Sequence, residues 1–154
     1  MARYEVTIAG WSPASLNTLT RHWSRAHRAK ASDRDRVAQE LDLARVPRVA
    51  VPRSVLRGLQ RAGVADPTLL EGARPTRRRL EVTVILGPRR DPDGTFRKGG
   101  QPPDPDNLLK SLLDALVEGG FLVDDSADWA EWECPRVVPD DGQGYRTRIV
   151  LEDQ

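Results

Sequence analysis

Asp104-Pro105-Asp106-Asn107-Leu108-Leu109-Lys110-Ser111-Leu112-Leu113-Asp114-Ala115-Leu116-Val117-Glu118-Gly119-Gly120-Phe121-Leu122-Val123-Asp124-Asp125 is the stretch that decides how this chain folds. Leu108, Leu109, Leu112, Leu113, Leu116 and Val117 recur at three- and four-residue spacing, which gathers them on one face of a helix. Asn107, Lys110, Ser111, Asp114 and Glu118 take the other face. Asp104 or Asp106 is a natural N-cap, Pro105 suits the first turn, and Gly119-Gly120 is a natural stop. The spacing predicts a helix over Asp106–Glu118. Phe121-Leu122-Val123 then reads as a short buried strand that delivers Asp124-Asp125.

Upstream, Leu80 to Leu86 is the clearest strand in the chain, entered from Arg77-Arg78-Arg79. Residues 87–103 are rich in Gly, Pro and base and predict a loop beside the acids. Tyr4, Val6 and Ile8 alternate with polar neighbours and predict a first strand, ended by Gly10 to Pro13. A long helix is expected from Ser15 or Asn17 to Ala44, with a break near residue 30. Pro and Gly interrupt residues 46–79, where a short helix over Arg53–Ala62 should turn Val55, Leu56 and Leu59 inward; the remainder reads as a loop or an insertion. Downstream, Asp128 to Cys134 predicts a strand with Ala130, Trp132 and Cys134 on one side. A turn at Asp140-Asp141-Gly142 leads to a last strand over Tyr145–Leu151. The order β-α-(α)-β-α-β-β-β implies a small mixed sheet packed with helices, in the α+β (mixed α/β) class, with residues 1–154 as one domain.

Hydrophobic residues make up 38% of the chain and charged residues 31%, and the apolar runs are far too short to span a membrane. Met1 to Gly10 has no long apolar core, so no signal peptide and a cytoplasmic location are expected. One cysteine, Cys134, excludes an internal disulfide and a Cys-based zinc cage, and two histidines are too few for a His-rich metal site. The net charge of +1 hides an asymmetry: residues 1–61 carry +7, residues 62–100 carry +3 and residues 101–154 carry −9. A basic two-thirds able to neutralise phosphates would then surround an acidic third. Arg21, Arg25 and Arg28 are spaced to share one helical face, and Arg89, Arg90, Arg97 and Lys98 fall in the loop before the acids. The bland alternative is a solvated arginine surface.

Three or four acids converging on one point repel one another unless a cation sits among them or they do chemistry. Hard oxygen ligands of this kind suit Mg²⁺, and Mg²⁺ sites are where phosphodiesters are often cut. Helix capping explains Asp104 and Asp106 in part, and an i, i+4 salt bridge would explain Lys110 beside Asp106 or Asp114. The chain carries its own control: Asp91-Pro92-Asp93-Gly94 repeats the Asp-Pro-Asp core, but Gly follows it and no amphipathic helix begins, so it reads as a turn. A bare Asp-x-Asp is therefore weak, and the helix that follows the second copy gives it weight.

The stretch from Asp104 to Ser126 closely resembles the signature of the RusA family of Holliday junction resolvases: Asp-x-Asp-Asn-x-x-Lys, then Asp-Ala-Leu, a Gly, and Asp-Asp. The resemblance implies a small homodimeric, Mg²⁺-dependent endonuclease, with Mn²⁺ as a substitute, that acts on four-way DNA junctions in recombination and repair. It implies metal ligation by Asp104, Asp106 and Asp125, with Asp124 as the alternative third ligand, and a catalytic role for Lys110. The family often has basic residues just before the first Asp and on the strand after the acid pair; here Gln101-Pro102-Pro103 and Glu131 and Glu133 stand there. The arginine helix and the loop from Arg89 to Lys98 are the expected replacements. Two rival functions are a non-catalytic DNA-binding module with structural acids and an Asp-x-Asp metal-dependent sugar transferase.

Overall fold

The computed structural model describes residues 1–13, 23–63, 74–86, 105–139 and 142–154. Among the described residues, five strands and three helices follow in the order β1 (Arg3–Ala9), α1 (Trp23–Leu43), α2 (Arg53–Arg61), β2 (Arg78–Leu86), α3 (Pro105–Glu118), β3 (Ala130–Trp132), β4 (Arg136–Pro139) and β5 (Arg146–Asp153). The sheet is mixed. β5 lies antiparallel between β1 and β2, while β3 and β4 both run parallel to β2 along its other edge. The fold is the small α+β fold that the order of elements implied. No described helix is long and apolar enough to cross a membrane.

Alternation fixes the register. Val6, Ile149 and Val82 lie side by side across three strands, as do Ile8, Thr147 and Val84, and these rows form the buried face. Thr147 is wholly buried there, and its hydroxyl donates to the Trp11 carbonyl at 2.9 Å. The apolar face of α3, from Leu108 to Val117, joins Val37 and Leu41 of α1 in the same core. Ser111, expected on the polar face of α3, is buried instead among these leucines.

Three expectations for strands and faces need correction. Phe121 and Leu122 are fully buried, but Phe121–Val123 forms bends, not a strand. The helix end and the chain after it turn too tightly for ladder pairing. The strand expected over Asp128–Cys134 is shorter, and Pro135 separates it from β4, which pairs farther along β2. Ala130 is buried and Trp132 half-buried, but Cys134 is exposed. In α2 no residue is buried, and Val55 is 47% exposed: this helix lies on the surface and does not fill the core.

Residues 46–50 are tied to the end of α3. α1 ends with Arg45 in the left-handed region (φ 57°), where the Val46 N–H donates to Leu41 O and the Arg45 N–H to Asp42 O. α3 ends the same way at Gly120 (φ 78°), with the Phe121 N–H on Leu116 O. The Val49 and Ala50 N–H groups both donate to Gly120 O, so the two helix ends are tied together. A Cβ on Gly120 would stand 2.3 Å from Ala50 O.

Arg78 closes this junction from inside. Its side chain is 0% exposed; Nε donates to Asp153 Oδ1 at 2.7 Å, and Nη1 donates to Pro47 O at 3.0 Å and Phe121 O at 2.9 Å. The Tyr4 ring lies 5.4 Å from its Cζ. Removing a buried, hydrogen-bonded charge leaves several acceptors unpaired. Arg78→Ala should lower the unfolding free energy by about 3–5 kcal/mol, read as a fall in the urea midpoint. Gly120→Ala should lower it by about 2 kcal/mol or more, because a left-handed φ and a backbone clash coincide there.

Candidate acidic site on the third helix

Asp106, Lys110 and Asp114 follow one another at four-residue spacing on α3, each about 6 Å along the axis from the last, and all three are exposed. The stripe exists because the leucines claim the other face of the helix. Among the described residues Lys110 forms no ion pair with Asp106 or Asp114, so the simple i, i+4 salt bridge is not made.

The top and bottom of the stripe meet different neighbours. Asp106 Oδ1 lies 3.7 Å from the Cys134 Sγ, in the link between β3 and β4. Asp114, two turns on, lies close enough for its charge to act on Asp125. Asp124 is half-buried and Asp125 exposed. The Asp125 N–H donates to Asp124 Oδ1 at 2.8 Å, which fixes the pair in a tight turn. Arg53, at the start of α2, reaches to within 3.9 Å of Asp124 Oδ1. Phe121 O, three residues before the pair, is held by Arg78, so the turn carrying the acids is anchored in the core.

The structure thus brings Asp114, Asp124 and Asp125 into one neighbourhood and puts Asp106 with Cys134. Among the described residues no three His, Cys, Asp or Glu side chains form a ready ligand group. Asp104 lies outside the described residues, as do Arg21, Arg89, Arg90, Arg97 and Lys98; Arg25 and Arg28 belong to α1 by their backbone. Sequence reasoning gave Asp114 only a supporting place. Its spacing of eight residues from Asp106 was the available sign that it would share the stripe.

Electrostatics marks the acid pair. The Asp125 carboxyl is held above the usual carboxylate range, first by its hydrogen bond with Asp124, then by burial and by the charges of Asp124 and Asp114. A raised carboxyl pKa means that ionised Asp125 opposes folding. The penalty is absent below the unfolded value, near pH ~3.9, and is fully present above the raised folded value. Asp125→Asn should therefore raise the melting temperature at neutral pH, and the gain over the parent should shrink as pH falls to about 3.5. Thermal unfolding across that range checks it.

The arginines flanking the site are largely engaged inside the protein. Arg77 lies 3.8 Å from Glu131, and Arg79 pairs with Glu133 at 3.1 Å, so these two acids answer the ends of the arginine triplet. Arg48 makes a bidentate pair with Asp42 and stacks 4.7 Å over Phe121. Arg57 pairs with Glu118 at 3.0 Å. These four arginines are thus paired with acids within the protein. No family model matches the chain, and no curated protein matches it.

Proposed function

We propose that this protein is a divalent-metal-dependent endonuclease of branched DNA, related in kind to the RusA resolvases that its central stretch resembles. The observation that carries the proposal is the crowding of carboxylates around Asp125, which raises its pKa and which a bound cation would relieve. The donor chemistry fits: these are hard oxygen ligands on a surface open to solvent, suited to Mg²⁺ or Mn²⁺ rather than to a soft metal. The resemblance gives the ion to Asp104, Asp106 and Asp125, with Asp124 as the alternative to Asp125; Asp114, two turns of α3 beyond Asp106, lies on the Asp125 side. A bound Mg²⁺ would polarise the scissile phosphate and acidify the attacking water.

The chain's own groups supply the rest. Lys110 lies one turn from Asp106 and one from Asp114 and is exposed, which suits an ammonium aimed at phosphate oxygens as negative charge develops on them. The Asp124–Asp125 turn is rigid because Arg78 grips Phe121 O, so the acid pair is presented at a fixed position. Two protomers related by a two-fold axis would set two such sites against opposed strands of a junction.

A synthetic four-way junction tests the proposal. With Mg²⁺ it should be nicked in pairs, and EDTA should abolish the nicks. Asp106→Asn should slow cutting by at least about 100-fold while leaving junction binding in place. An intact junction over a broad range of Mg²⁺ and Mn²⁺ would overturn it. If the protein still bound the junction, it would be a DNA-binding module with structural acids.

A further inference from the structure

We infer that the groove between α1 and α2 seats one nucleotide of a DNA strand, with its phosphate on Arg34. The inference rests on the nuclease proposal for the path of the strand, while the groove is defined by its own residues. Its volume is about 430 Å³, enough for a nucleotide and too small for a duplex.

Arg34 lies on the α1 wall, and its Nε is buried without a hydrogen-bond partner. Arg78 Nη2 and Ser111 Oγ are likewise buried without partners, but they lie in the interior, whereas Arg34 lines an open groove where its guanidinium can meet an acceptor from outside the chain. The other arginines of the groove are engaged: Arg48 donates to Gly119 O and to Asp42, and Arg57 to Glu118 and Arg53 O. The Glu118 charge is thereby answered, and Asp35 is left exposed at the rim. Ser54 opens the facing wall in the first turn of α2, which has no side-chain cap and no acid among its leading residues. The hydroxyl and the leading N–H groups of that turn are donors suited to a second phosphate oxygen. Val55, 47% exposed, and Ala38 give an apolar surface for the sugar or base.

The groove adjoins the acidic site. Arg53 precedes Ser54 and stands 3.9 Å from Asp124. A strand leaving the acid pair therefore meets the start of α2 and then the groove. The ligand class is a nucleic-acid strand read through its phosphate, without base selection.

The test is an NMR titration of the ¹⁵N-labelled protein with thymidine 5′-monophosphate and with a short oligothymidylate, alongside junction binding by the parent and by Arg34→Gln. The Arg34 Nε–H and the Ser54 amide should shift. Arg34→Gln should weaken binding of the oligonucleotide about tenfold and lower the salt slope by about one. Shifts at Arg34 without any junction cleavage would leave the groove standing and remove the nuclease. Cleavage with no shift at Arg34 and unchanged binding by Arg34→Gln would remove the groove and leave the nuclease. No shift at Arg34 in the folded parent protein overturns the inference in either case.

Discussion

A guanidinium taken fully out of water needs acceptors, and Arg78 finds them for Nε and Nη1 on three other chain segments, while its Nη2 is buried without one. It sits at the start of β2 and reaches the end of β5 through Asp153, the segment after α1 through Pro47, and the turn after α3 through Phe121. Asp153 is the ladder partner of Arg78 across β2 and β5, while the contacts to Pro47 O and Phe121 O join the sheet to segments that strand pairing leaves unconnected. With Gly120 pressed against Ala50, it makes the two helix ends and the sheet one unit.

That constraint carries through to the acids. Asp124 and Asp125 follow within four residues of the carbonyl that Arg78 holds, so the turn that presents them is anchored in the core as well as by Arg53 at the surface. On α3 the leucine face fixes the rotation of the helix and with it the outward stripe of Asp106, Lys110 and Asp114. Structural and functional demands are thus separated by face: burial sets the orientation, and the exposed carboxylates carry the electrostatic load. Arginine has two roles in the same design. Arg48, Arg57 and Arg77 to Arg79 balance acids or carbonyls within the protein, although Arg78 Nη2 is left unanswered in the core; Arg34 carries its unanswered Nε on the wall of a groove.

The helix over residues 105–118 and the strands β1, β2 and β5 were legible because their periods are strong, and glycine follows the helix, β1 and β2 in the sequence. The acids themselves were legible as residue types. What periodicity could not give was the tertiary role of single residues. Arg78 reads in sequence as one member of a basic triplet, and only burial distinguishes it from Arg77 and Arg79. Residues 46–50 read as an insertion because prolines break every local pattern, yet their backbone pairs with Gly120. Phe121–Val123 has strand composition, but the turn closing α3 decides its shape. That the charge of Asp114 acts on Asp125 depends on how far the chain doubles back along the helix, which periodicity does not give.

The central claim is that these carboxylates form a divalent-cation site. Mn²⁺ relaxes nearby nuclei, so a titration of the labelled protein with substoichiometric Mn²⁺ reports the place of binding directly. The account predicts selective broadening of the Asp106, Lys110, Asp114 and Asp125 amides, reversed by excess Mg²⁺. Broadening centred on Asp91 and Asp93 instead, or none at any of these acids, would contradict it.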